Sequence, residues 1–204
     1  MSRRHPVIRT AATAFLLVTA FVATLAVGAS PAGAHAIVEI QDTDAVVGRT
    51  SAMTLEIQHG CITGGGRTVG VVATFAPSFG TVTAGTVPGW SSAVIPGTAG
   101  AAAGGSTVTW TTTSAPQPFS APLRLPLTVR WPKQPGSYGI AVSQTCSDPT
   151  EETVWATPVR PATVGVPSPP VTPLATVCVL PKRLAGTAST GRSAAIRKVC
   201  AIER

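Results

Sequence analysis

Aromatic residues are scarce in this chain, at 5% of 204 residues, and Tyr138 is the one tyrosine. An enzyme working along a polysaccharide needs an open face of aromatics, so the scarcity weighs against that class. Histidine is rare as well, and of the three present His5 belongs to the N-terminal segment, leaving His35 and His59. The chain has no Ser-His-Asp order, no paired carboxylates in a cleft-like motif and no phosphate-cradling loop. Its Gly64-Gly65-Gly66 run lacks the strand–helix context such a loop requires. Beyond the N-terminal segment there is no long apolar run. The mature chain is therefore expected to be soluble, with no C-terminal membrane anchor.

The body of the chain also lacks an excess of charge of either sign. Between His35 and Val166 six basic residues face seven acidic ones, a net −1. From Pro167 onward six basic residues face Glu203 alone, a net +5. A nucleic-acid-binding domain carries its basic face on the folded body, so nucleic acid is not an expected partner. The basic end is expected to be solvated and able to touch a membrane surface or cell-wall polymer.

What the chain does have begins with an export signature. Arg3, Arg4 and Arg9 precede an uncharged stretch from Ala11 to Ala29, and Ala32-Gly33-Ala34 follows. A basic start, an apolar middle and a small-x-small end are the three parts of a secretory signal peptide. The stretch is long enough to serve as an anchor, since roughly 18 apolar residues can span a bilayer. Its richness in Ala, Thr and Gly and the small-residue site close behind it favour cleavage, between Ala34 and His35. The expected organisation is a signal peptide over 1–34, one domain over 35–166, and a Pro-rich linker with a short basic tail over 167–204. The expected location is outside the cell or in its envelope.

Four cysteines, Cys61, Cys146, Cys178 and Cys200, are an even number in an exported chain and imply disulfides. Three pairings are formally possible. Two cysteines lie in the domain and two in the tail, which favours Cys61–Cys146 with Cys178–Cys200.

The domain reads as strands rich in Val, Ile and Thr, separated by Gly and Pro breaks. They are expected at 36–41, 51–60, 68–76, 80–87, 107–113, 123–131, 136–146 and 153–159. Eight short strands in about 130 residues predict an all-β, immunoglobulin-like two-sheet sandwich. From Met53 to Cys61 the odd positions are apolar, so a continuing strand would put His59 and Cys61 on the core side with Leu55 and Ile57. Cys146 shares the parity of Ile140 and Val142. Beyond the stiff run from Pro167 to Pro173, a short basic helix is expected near Ala194–Ile202.

If cleavage follows Ala34, His35 presents a free α-amine and an imidazole from one residue, a chelating histidine brace. A nitrogen-rich, square-planar donor set selects Cu(II) among common divalent ions. Several landmarks resemble the YcnI-like copper-binding domain family, in its actinobacterial form. These are His35-Ala36-Ile37-Val38 behind the signal, Gln58-His59-Gly60-Cys61, Pro88-Gly89-Trp90, Ser143-Gln144-Thr145-Cys146 and Thr153-Val154-Trp155. They occur in the family's order over about 35–157. The resemblance implies a β-sandwich holding Cu(II) through the N-terminal His amine and imidazole, a further ligand from the strand matching 51–60, and a tryptophan near the metal. By position, His35 is the brace and Trp155 the indole. The chain departs from the family's best-known form at His59-Gly60, near which that form has a glutamate. His59 is the replacement expected here, and Glu56, on the opposite strand face, is the second candidate. The plain structural alternatives are a buried His59 beside the disulfide, Trp155 as core packing and Trp90 bracing a turn.

These readings predict a binding protein rather than an enzyme: an exported copper carrier whose partners are the ion and an envelope copper transporter or cuproprotein. The competing functions are a metal-free structural or adhesive envelope module and, further off, a copper monooxygenase in which His35 and His59 form the brace.

Overall fold

The computed structural model describes residues 35–41, 44–61, 66–97, 105–160, 163–164, 168, 170–186 and 192–200. The segment expected as a signal peptide, including Ala34 at the expected cleavage site, lies outside the described residues. The strands are β1 (Ala36–Ile40), β2 (Thr50–Ile57), β3 (Thr68–Phe75), β4 (Val82–Ala84), β5 (Trp90–Ile95), β6 (Thr107–Thr112), β7 (Leu123–Arg130), β8 (Gly136–Cys146), β9 (Glu152–Trp155) and β10 (Ala175–Val179). One helix, α1 (Arg192–Val199), closes the described chain.

Two antiparallel sheets result. The four-stranded sheet has the order β1-β2-β7-β4, and the six-stranded sheet the order β10-β8-β3-β6-β5 with β9 also on β8. The period-2 pattern sets which faces meet. Met53, Leu55 and Ile57 of β2 and Leu123, Leu125, Leu127 and Val129 of β7 are buried, while Arg124, Thr128 and Arg130 between them are exposed. From the other sheet Val71, Ala73, Phe75, Val108, Trp110, Ile140, Val142 and Trp155 complete one core.

All eight expected strands form: β8 has its expected bounds, and the others stop short at their C-terminal ends. Proline explains one of those ends. Gly85 N–H donates to the Pro126 carbonyl at 2.8 Å, so Pro126 turns its hydrogen-bonding edge toward β4. Proline has no N–H to return on that edge, and β4 stops at Ala84. Pairing of β7 with β2 on the opposite edge runs unbroken past Thr54↔Pro126.

β5 was not expected, because Trp90-Ser91-Ser92-Ala93-Val94-Ile95 does not alternate. It is a sheet edge with mostly exposed side chains, and pairing with β6 rather than burial makes it a strand.

The second unexpected strand corrects the reading of residues 167–204 as linker and tail. β10 pairs with Gly136–Ile140 of β8, and Ala175, Val177, Val179 and Leu180 are buried. β9 lies on the same edge, opposite Val142–Thr145. The two are halves of one edge strand interrupted by an excursion. Its ends are stitched where Thr157 N–H donates to Thr172 at 3.2 Å and Leu174 N–H donates to Thr157 at 2.7 Å. Pro173 stands at the re-entry, where its missing donor breaks no ladder.

Both expected disulfides form, Cys61–Cys146 and Cys178–Cys200. The first joins the segment after β2 to the end of β8, one strand from each sheet. The second ties α1 to β10. Two disulfides suit an oxidising compartment. Among the described residues no helix is long and apolar enough to cross a membrane.

Candidate metal centre

His35 stands just before β1, and its carbonyl accepts the Gln58 N–H at 3.4 Å. This extends by one step the β1–β2 register, in which Ala36 pairs with Ile57 and Ile37 with Glu56. His35 is thus opposite Gln58 and next but one to His59 across the ladder. By strand alternation His35 shares the outer sheet face with Ile37 and Glu56. Its diagonal neighbour on that face is Glu56, and such pairs stand roughly 7–8 Å apart.

Glu56 already has a partner. Its Oε2 accepts a charge-assisted bond from Arg124 Nε at 2.8 Å, in a pair directly opposed across β2 and β7. The pair is open to solvent on the arginine side, so it contributes little to stability. It nevertheless puts a cation against the carboxylate.

His59 does not keep the core-side position expected of it. β2 ends at Ile57, the chain bends at His59-Gly60, and His59 is half-buried while Cys61 is fully buried. The bend is fixed by close packing at Gly60. A Cβ there would meet the Gly66 carbonyl oxygen at 2.5 Å and the Phe119 Cα at 2.8 Å. No side chain fits at Gly60, so a glutamate at that position would have to displace backbone.

The orientation of His59 is specific. Its Nδ1 lies 2.7 Å from the Gly60 carbonyl. A carbonyl can only accept, so Nδ1 carries a proton, and in the neutral ring Nε2 keeps its lone pair. This is the arrangement that metal-binding histidines use, one nitrogen donating to a carbonyl while the other faces the ion. The ring packs against Phe119, tilted by 43° with centroids 4.9 Å apart, and the His59 carbonyl accepts a bond from Gln144 Nε2 at 3.2 Å.

Phe119 and Gln144 were not anticipated as neighbours of the site. Gln144 had a signal: it shares the inward parity that marks Ile140, Val142 and Cys146, and an amide on a core parity needs a partner. It is fully buried, and Nε2 also donates to Thr68 Oγ1. Its Oε1 has no partner, nor has Trp110 Nε1. Both residues pair with Val71, one on each side, so the two lone atoms belong to one row across β6, β3 and β8. Phe119 comes from the loop before β7, and no local pattern links it to His59.

Among the described residues no group of three or more His, Cys, Asp or Glu side chains converges. A metal held here would complete its donor set from the main chain, as a brace does with the α-amine of its first residue.

No protein-family model matches the chain, and no curated protein sequence matches it. Among solved structures the chain is similar to the crystal structure of an uncharacterized protein from Nocardia farcinica, described as revealing an immunoglobulin-like fold. The TM-score is 0.55 at 21% identity, over 71% of this chain and 97% of that one. The likeness bears on architecture alone. The fold is an immunoglobulin-like sandwich.

The other expected site residues have structural positions. Trp155 on β9 is wholly buried in the core cluster, opposite Val142. Its position is that of a core packing residue. Trp90 is half-buried and begins β5 after a turn in which its N–H donates to Val87 at 3.1 Å. Gly89 takes φ 76° there, the left-handed position that glycine fills at the third residue of a type II turn after proline. All four cysteines are disulfide-bonded, so none is a metal ligand.

Proposed function

We propose that the chain is exported, cleaved after Ala34, and binds one Cu(II) as a carrier of the bacterial cell envelope. The α-amine and imidazole of His35 form the brace, and His59 Nε2 adds a third nitrogen. The observation that carries this reading is the His59 Nδ1 contact with the Gly60 carbonyl, which in the neutral ring leaves the Nε2 lone pair for a metal, just past the β1–β2 ladder end where His35 stands. Glu56 is the weaker candidate because Arg124 holds its carboxylate. Bound there, Cu(II) would be held for transfer to an envelope transporter or cuproprotein. The chain's own residues supply nitrogen donors.

The experiment is a Cu(II) titration of the mature protein, its N-terminus fixed by intact mass, in free and N-acetylated forms. Acetylation should abolish tight binding. The α-amine, with an ordinary pKa of about 8, must lose its proton to bind, so affinity should fall as pH drops. Equal affinity of the two forms would sink the brace and leave a metal-free envelope module as the better account. A second titration separates the ligand candidates. His59→Ala should weaken binding by more than about tenfold, whereas Glu56→Gln should change it little. The opposite ranking would transfer the ligand role to Glu56.

A further inference from the structure

The sheets end in strands of different kinds. β1 carries Glu39, and β4 is 3 residues long. The β9–β10 edge carries Glu152 and is interrupted between Thr157 and Leu174. Charge, brevity and interruption are devices by which native sheets discourage edge-to-edge pairing. β5, the free edge of the six-stranded sheet, has none of them. Trp90–Ile95 contains no charged residue and no proline. Ser91, Ser92 and Ala93 are exposed, as is Ile95 at 66%. Among the described residues no strand pairs with the outer side of β5.

The ladder fixes which main-chain groups of β5 face outward. Thr113 N–H donates to the Gly89 carbonyl at 2.8 Å, one step beyond the pair Trp90↔Thr112. An antiparallel strand bonds a given neighbour at every second residue. Ser91, Ala93 and Ile95 therefore bond β6, while Ser92 and Val94 aim N–H and C=O away from it. The far side of β6 agrees: the Ser106 carbonyl accepts the Phe75 N–H at 2.9 Å, so the even residues of β6 face β3. Now let a second β5 lie antiparallel about a two-fold axis through Ala93. Ser92 then stands opposite Val94 of the second copy, and the two outward-facing residues exchange both bonds. Ala93, the smallest side chain of the strand, faces itself on the axis. The next outward residue, Trp90, meets Pro96, and no donor is stranded there. Trp90 N–H is already given to Val87 at 3.1 Å, and proline has no N–H.

We propose that β5 pairs antiparallel with β5 of a second copy of this chain, about a two-fold axis at Ala93, joining two six-stranded sheets into one. A two-fold contact needs a surface that complements itself. An edge with matched outward groups and no charge to repel its twin meets that need. Ile95, exposed in the single chain, gains cover beside Ser91 of the second copy. A strand of 6 residues a side falls short of the roughly 800 Å² per partner of a standard interface. The dimer is therefore weak and concentration-dependent. No residue of the candidate metal centre takes part, and the pairing does not depend on copper.

The test combines sedimentation equilibrium with amide hydrogen exchange, read by NMR on the purified protein at low and high concentration. Sedimentation should show a reversible monomer–dimer equilibrium. The Ser92 and Val94 amides should gain at least about fivefold protection in the concentrated sample. Ser91 and Ala93, bonded to β6, should be protected in both samples. Ala93→Lys, at an exposed position, sets like charges against each other on the axis and should raise the dimer Kd at least about tenfold. Ser92→Pro removes a donor that β6 does not use, so it should leave the ladder standing and raise the Kd about tenfold as well. Should the proline variant misfold, Ala93→Lys decides alone. A monomer at every concentration, a dimer that Ala93→Lys leaves unchanged, or Ser92 and Val94 amides indifferent to concentration would overturn the proposal. So would a dimer whose added protection fell on β1 or β10, which would move the contact to another edge.

Discussion

The two disulfides hold regions of opposite character. Cys61 and Cys146 are 0% and 2% exposed, and they join the two sheets across a sequence separation of 85. Cys178 and Cys200 are half-buried and clip a mostly exposed helix to an edge strand across a separation of 22. A disulfide acts on the unfolded ensemble by an amount that grows with the logarithm of the loop it closes. Its effect on the native state depends on what is packed around it. The first bond sits where His59, Gly60, Gln144 and Thr68 interlock, so its loss would loosen the candidate metal centre together with the end of the core. The second holds a helix that buries little, so its loss would free the helix and leave the sandwich in place.

The largest effect expected from this contrast is on global stability. Replacing Cys61 and Cys146 together by alanine should lower the unfolding free energy by roughly 4–5 kcal/mol, read as a fall in the urea midpoint with a steeper slope, because the unfolded chain without the crosslink exposes more surface. A loss no larger than that of the other pair would break the comparison.

Replacing Cys178 and Cys200 by serine should cost less than about 2 kcal/mol globally, although the loop-entropy estimate for its length is about 3 kcal/mol. The difference arises because α1 can open locally without the sheets unfolding. Hydrogen exchange should show α1 amides losing protection while β2 and β8 keep theirs. Loss of protection in β8 as well would mean that the clip secures the whole six-stranded sheet. The same contrast should govern reduction. Exchange needs a thiolate to reach a sulfur, so limiting reductant followed by alkylation should label Cys178 and Cys200 before Cys61 and Cys146.

The smallest expected effect concerns the turn just after Cys146. The Asp148 carboxylate accepts the Thr150 hydroxyl at 2.7 Å and the Thr150 N–H at 2.9 Å. Those bonds, the hydroxyl's first, hold its pKa below the ordinary carboxylate value. A lowered folded-state pKa stabilises the fold above the unfolded pKa, and that contribution is lost as pH falls through the folded one. Asp148 is fully exposed, so the effect should be slight. Stability measured against pH should show a small acid-side decline in the wild type that Asp148→Ala lacks, and identical profiles would remove the turn from the account.

The sequence by itself determined the local and pairwise features. Alternation in β2, β7 and β8 is readable because one face of each strand meets the core and the other does not. The cysteine pairing followed from two cysteines on either side of a proline-rich run. Both needed neighbours close in sequence or a simple count.

Only the tertiary structure decided the rest. β5 is a strand because β6 lies beside it, and β10 because β8 has an open edge beyond β9. β5 carries no alternation of its own, and β10 alternates over only five residues. Residues 174–180 read as tail because proline precedes them, yet the chain leaves the edge at Thr157 and rejoins it at Leu174. His59 left its core-side parity because Gly60 lies against the backbone of Gly66, where the chain returns, and of Phe119, which is remote in sequence from the strand it ends. Its contact with the Gly60 carbonyl, its packing against Phe119 and its hold by Gln144 are consequences of that bend. Periodicity reports a side chain's face only while the strand continues, and where this strand stops was decided by packing across the sandwich.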